Sequence, residues 1–161
     1  MLKKISIVTL FLSLILGFTS CDNSVIFEEN QGFEDNTWRY EDVKTFSFTM
    51  KDSMTPCKIY LNMRTTLDYQ FSNVYMNLYS SYPNGNQDTA ALEFFLAEPN
   101  GKWLGEVSGT VIENSAMINK GAYLVDPGTY SFKIEQAMFD NDLGEIIDVG
   151  IRVEHLTVED F

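Results

Sequence analysis

From Val43 onward, apolar and polar side chains alternate with a period of two. Phe46, Phe48 and Met50 interleave with Thr45, Ser47 and Thr49. Ile59, Leu61 and Met63 alternate with Lys58, Tyr60, Asn62 and Arg64, and Val74, Met76 and Leu78 stand opposite Tyr75, Asn77 and Tyr79. Leu92, Phe94 and Leu96 repeat the pattern, as do Tyr130, Phe132 and Ile134, then Ile147, Val149, Ile151 and Val153. Successive strand side chains point to opposite faces, so each run predicts a half-buried strand. Turn chemistry separates them at Pro83-Asn84-Gly85-Asn86, Glu98-Pro99-Asn100-Gly101-Lys102 and Asp126-Pro127-Gly128. The stretch from Trp103 to Ile112 is broken by glycine, and Ala116–Ile118 and Tyr123–Val125 read as strand or irregular.

These runs give at least seven strands and no helix of any length. Without an amphipathic helix to cover them, the sheet faces must cover each other. The expected fold is all-β, a two-sheet antiparallel β-sandwich, with a jelly roll as one version of it. An up-and-down barrel is the rival, disfavoured because the inward Phe, Leu and Ile side chains suffice to fill the interior. A membrane barrel fits poorly, since the outward faces carry Lys58, Arg64, Lys133 and Glu135 rather than an apolar band.

The N-terminus follows another rule. Lys3 and Lys4 precede 14 residues, Ile5 to Phe18, that are apolar on every face. A spanning helix needs about 20 such residues, so the segment predicts a signal peptide rather than a permanent anchor. Thr19 and Ser20 stand before Cys21, small neighbours that let a processing enzyme close around an acylated thiol. The expected organisation is a lipoprotein signal peptide over residues 1–20, a lipidated cysteine and tether over 21–37, and a sandwich domain over 38–161. Two or three acyl chains on Cys21 give lasting membrane attachment where one is marginal. Within the tether, Val25, Ile26 and Phe27 are apolar enough to dock as an edge strand.

Charge and cysteine content change accordingly. The full chain of 161 residues has a formal charge of −12, and removal of Lys3 and Lys4 leaves 9 basic against 23 acidic side chains, or −14. That balance disfavours nucleic acid as a partner. Acylation of Cys21 leaves Cys57 as a lone cysteine, which reads as a small, partly buried hydrophobe.

Catalytic constellations are thin. His155 is the single histidine, too little for a zinc site or a convincing Ser-His-Asp or Cys-His arrangement. No phosphate-binding loop or HExxH helix is present. The sequence points to a protein without enzymatic activity or cofactor. Asp140, Asp142 and Glu145 form the best calcium candidate, although their spacing departs from an EF-hand loop. Aromatic residues are more suggestive: Tyr75 and Tyr79 share an outward face, and Trp103 follows a turn. Together they form a possible binding surface for a protein, or alternatively for carbohydrate or peptidoglycan. Trp103 fits equally well as a plug of the core.

Several stretches in order carry a family resemblance: Asn62-Met63-Arg64, Asp68-Tyr69 through Phe71-Ser72-Asn73, Leu96 through Gly105, Ile134-Glu135-Gln136-Ala137-Met138, and Asp148-Val149-Gly150-Ile151-Arg152. By these the chain resembles the gliding motility lipoprotein GldH family of Bacteroidota. The resemblance implies a lipid-anchored cell-envelope component of the gliding and type IX secretion machinery, with other envelope proteins as partners. Asp22 after the cysteine suggests inner-membrane retention under enterobacterial sorting rules, which Bacteroidota do not follow reliably, so the outer membrane is the expected location. The resemblance carries over no catalytic residues.

Overall fold

A computed structural model describes residues 24–52 and 55–156. The signal peptide expected over residues 1–20 and its Cys21 lie outside the described residues. Eleven strands follow in chain order: β1 (Val25–Gly32), β2 (Thr37–Arg39), β3 (Lys44–Met50), β4 (Thr55–Thr66), β5 (Asn73–Ser81), β6 (Gln87–Phe95), β7 (Glu106–Ser108), β8 (Val111–Leu124), β9 (Gly128–Gln136), β10 (Asp142–Gly144) and β11 (Ile146–His155). A single 3-10 turn over Glu34–Asn36 is the only helical element among the described residues.

Hydrogen bonding sorts these strands into a five-stranded sheet, β1-β11-β4-β8-β7, a four-stranded sheet, β3-β9-β5-β6, and a small β10-β2 ribbon. Every pairing is antiparallel. The two larger sheets lie in a sandwich-like arrangement around one core. The chain crosses between them from β3 to β4, β4 to β5, β6 to β7 and β8 to β9, unlike an up-and-down barrel, in which consecutive strands pair.

The period-two runs supply that core. Phe46, Leu61, Met63, Val74, Met76, Ile134, Val149, Ile151 and Val153 are all at most 1% exposed. Phe27, Phe48, Tyr130 and Phe132 add an aromatic group, with Phe48 stacked 5.0 Å from Phe27 and 5.7 Å from Tyr130. Thus the alternation sets which face turns inward.

Two expectations need correction. The sheet begins before residue 38, because β1 pairs along β11 from Val25↔Glu154 to Gly32↔Asp148. Its polar run Glu28-Glu29-Asn30-Gln31 suits an edge strand, whose side chains reach water. The expected Ile147 is also displaced from the core. A register shift between Ile146 and Asp148 leaves Ile146 fully buried and Ile147 half-buried, since a bulge changes which residue faces in.

Register also fixes the ends of the sandwich. Val25, Met50, Thr55, Ser81, Gln87, Leu124, Gly128 and His155 lie at one end, which is therefore where the chain enters from residue 24. The β10-β2 ribbon closes the opposite end, with Trp38 and Leu143 at most 1% exposed.

Cys57 is a free thiol with no exposed surface, and burial pushes its pKa from 9.0 up to about 11. The folded state holds this proton more tightly than the unfolded chain. Its stabilising contribution, roughly 2–3 kcal/mol, is full below pH 9 and lost as pH rises to about 11. Burial pushes the Tyr69 hydroxyl up as well, adding to the alkaline loss. We expect slow reaction of Cys57 with a thiol reagent at neutral pH and a flatter alkaline stability curve for Cys57→Ala. Fast stoichiometric labelling of the folded protein at pH 7 would contradict this placement.

Candidate functional site

Three surface regions carry the features that recognition requires. The first is the outer face of the four-stranded sheet, where alternation on β5 turns Tyr75 and Tyr79 away from the core. Tyr75 is 46% exposed and donates its hydroxyl hydrogen bond to Glu93 at 2.9 Å. Asn73 donates to the same carboxylate oxygen at 2.6 Å. Tyr79 donates to Glu135, which also accepts from Asn77 at 3.2 Å, and the Lys133 ammonium lies 5.0 Å from the Tyr79 ring centroid. The acceptor carboxylates, Glu93 for Tyr75 and Glu135 for Tyr79, push both phenol pKa values up. These bonds hold the rings against the sheet as ordered, amphipathic contact area.

Trp103 is not on this face. It forms an isolated bridge with Ala97 and packs, half-buried, against the core. Tyr75 and Tyr79 thus share one outer face, each with its own carboxylate partner, while Trp103 packs half-buried elsewhere.

The calcium candidate does not assemble. Asp142 begins β10 and pairs with Arg39, while Glu145 adopts φ 69° and accepts the Thr66 hydroxyl at 2.5 Å. The Asp140 carbonyl accepts from Gln136. The strand and the bend split the acidic run, and no group of three His, Cys, Asp or Glu residues able to hold a metal occurs among the described residues. His155 and Cys57 are register partners on β11 and β4, yet the thiol is fully buried and the imidazole exposed. Raised well above neutral pH, that thiol is protonated rather than nucleophilic.

The second region is a polar groove of about 410 Å³ on the outer face of the five-stranded sheet. Sequence reasoning missed it, because its residues come from β1, β4, β8 and β11 and converge only through strand order. Asn62 donates to Glu28 at 3.4 Å and accepts from Ser115 at 2.8 Å. Arg152 lies 4.0 Å from Glu28 and also pairs with Glu154. Gly150 keeps the floor low: a Cβ there would stand 1.7 Å from the Asn30 side-chain oxygen and 2.6 Å from the Glu29 carbonyl.

The third region is a cleft of about 470 Å³ between β6 and β8, where the two sheets part. Leu92 and Phe94 line one wall, Ala116 and Ile118 the other, with Phe95, Leu104 and Met117 at its mouth. Those three mouth residues are 58%, 54% and 43% exposed. Glycine again permits a close approach: a Cβ on Gly105 would sit 2.4 Å from the Glu113 carbonyl.

Residues 25–153 match the model of the family described as GldH lipoprotein. The chain belongs to that family. A protein of Christiangramia forsetii named as a gliding motility lipoprotein GldH homolog is 29% identical over 154 residues, covering 91% of this chain and 94% of its own. The gliding motility lipoprotein GldH of Flavobacterium johnsoniae is 28% identical over 152 residues, with coverages of 90% and 93%. Membership links this chain to the gliding-motility lipoproteins of the cell envelope.

Likeness to solved structures is much weaker. An infectious bursal disease virus structure gives a TM-score of 0.36 at 17% identity, over 84% of this chain and 33% of that one. A family GH115 4-O-methyl-alpha-glucuronidase gives 0.38 at 10% identity, over 86% of this chain and 18% of that one. Likenesses this low carry no argument about function. Two stretches of the family resemblance, Asn62-Met63-Arg64 and Leu104-Gly105, do meet at the polar groove, and the second also reaches the cleft.

Proposed function

We propose that this chain is a lipid-anchored component of the gliding-motility machinery that acts by binding and stabilising another envelope protein. The observation that carries the protein-contact reading is the run of exposed apolar side chains at the mouth of the apolar cleft. Water-exposed Phe95, Leu104 and Met117 around one opening form a patch of the kind that marks interaction surfaces. Family membership supplies the process, and acylation of Cys21 supplies the anchor.

The tether and the fold act together in this reading. The chain enters the domain at one end, so the end closed by Trp38 lies away from the lipid. Glu34, Asp35, Asp68, Asp140 and Asp142 are exposed at that far end. Anionic headgroups repel such an end, which favours presenting it away from the membrane. Confinement to a surface raises the effective concentration near partners. We place the protein at the outer membrane.

The carbohydrate alternative stays second, because its aromatic rings are not gathered around the polar groove. Tyr75 and Tyr79 lie on a sheet face rather than in the polar groove, and neither they nor Trp103 line that groove. The reading is tested by affinity capture from crosslinked membranes of cells producing the full chain. Repeated recovery of the same envelope protein is expected; recovery of none overturns it.

A further inference from the structure

The cleft between β6 and β8 is bounded by strand edges that no strand occupies. β6 pairs only with β5, and β8 pairs with β7 only from Val111 to Glu113. Beyond Glu113, the edge of β8 has no strand partner among the described residues. Unpaired strand edges present rows of main-chain donors and acceptors, which an extended backbone satisfies most completely. Between these edges lies an apolar floor formed by Leu61, Leu92, Phe94, Ala116 and Ile118. A strand placed there buries alternate side chains and exposes the others.

A second observation points to an occupant. Asn114 is 6% exposed and lies where the cleft and the polar groove meet, and its side-chain amide nitrogen has no hydrogen-bond partner among the described residues. A buried donor left unpaired costs on the order of 1–3 kcal/mol, which a carbonyl arriving in the cleft removes. Charge supplies the third argument. Glu106 is exposed beside Gly105 at the cleft's edge and stands opposite Glu113, which itself faces Arg64 across β8 and β4. Glu93 lines the cleft from the other wall. Glu106 and Glu93 have no ion pair among the described residues, Glu93 being bonded only by the neutral Tyr75 and Asn73, so both favour an incoming cation.

We infer that the cleft accepts an extended segment of a partner protein, apolar at alternate positions and carrying Lys or Arg between them. The segment adds to the free edge of β8 over Ser115–Asn119. Its inward side chains fill the cleft opposite Leu92 and Phe94, and a basic residue reaches Glu106. This names the contact chemistry of the proposed function and rests on that reading.

The test uses the full lipidated chain in nanodiscs and three synthetic ten-residue peptides. One alternates Ile or Val with Lys, the second replaces each Lys with Glu, and the third scrambles the first. The Lys peptide is expected to bind at least tenfold tighter than either control, read by fluorescence anisotropy, and to slow amide exchange over Ser115–Asn119. Ile118→Glu and Phe95→Glu are each expected to weaken it at least tenfold. Phe95 is exposed, so that variant keeps its fold if Ile118→Glu does not. Equal binding of all three peptides, or protection elsewhere, overturns the inference. Concentration-dependent self-association that protects the same amides assigns the edge to a second copy and also overturns it. If Phe95→Glu leaves envelope-protein capture from crosslinked cells unchanged, the cleft is wrong while the proposed function stands; if the wild-type chain captures no envelope protein, both fall.

Discussion

Trp38→Ala is expected to lower the unfolding free energy by about 3–5 kcal/mol, the range for emptying a buried Trp site. Trp38 has no exposed surface, stacks 4.9 Å from Phe33, and donates its indole hydrogen bond to the Asp42 carbonyl at 2.9 Å. It sits on a three-residue strand whose one partner among the described residues, β10, carries buried Leu143. Neither short strand has enough hydrogen bonds to persist alone, so the indole is what fastens the ribbon over the open end of the core. Its removal leaves a cavity that a ribbon this short cannot collapse into without losing its pairing. Domains are typically stable by about 5–15 kcal/mol, so the loss is a large fraction of the total. Trp38→Phe keeps the stack and gives up the hydrogen bond, with a smaller expected cost of roughly 1–2 kcal/mol. Urea denaturation followed by circular dichroism reads both, and a loss below about 1 kcal/mol for Trp38→Ala contradicts the plugging role.

The second large effect belongs to Arg64. Its guanidinium donates to Asp148 Oδ2 from Nε at 2.7 Å and from a second nitrogen as well. The Asp148 side chain is only 4% exposed, whereas that of Arg64 is 45% exposed. The other carboxylate oxygen of Asp148 has no hydrogen-bond partner among the described residues. Arg64→Ala thus strands a buried charge with nothing to neutralise it. Breaking a fully buried pair costs about 3–5 kcal/mol, and water reaching the exposed half of Arg64 reduces this to roughly 2–3 kcal/mol. Placing Asp148→Asn in the same chain removes the stranded charge and is expected to restore part of the loss. A double-mutant cycle with no coupling between the two positions would show that the pair does not hold β4 to β11.

Much of the fold is legible in the sequence because strand periodicity is a local signal. Phe46, Phe48 and Met50 are buried as their alternation predicts, as are Val74, Met76 and Leu78, then Tyr130, Phe132 and Ile134. Val25, Ile26 and Phe27 do enter an edge strand, which then extends through a polar run with no period to reveal it. What fails locally has a physical reason in each case. A bulge exchanges Ile147 for Ile146, and two register shifts between β4 and β8, at Cys57/Lys58 and Ile59/Tyr60, follow from no local period. β2 and β10 are too short to carry any period, so the location of Trp38 under a ribbon was invisible.

The candidate surfaces divide along the same line. Outward Tyr75 and Tyr79 follow from alternation on one strand. Trp103 looked similar because a turn precedes it, but whether a ring after a turn points out or in depends on what packs beside it. The polar groove and the β6–β8 cleft depend on strand order, which no window of sequence contains. One weak signal was available: Gly105 interrupts an apolar stretch where another backbone comes close.

A tethered domain of this kind meets its partner at the membrane. The most direct measurement compares in-cell crosslinking of the wild-type chain with a Cys21→Ser chain exported behind a non-lipoprotein signal, at matched amounts of folded protein. The account predicts one recurrent envelope-protein adduct for the wild type and at least tenfold less of it without the anchor. No adduct from the wild-type chain, or equal yields from the two, would contradict it.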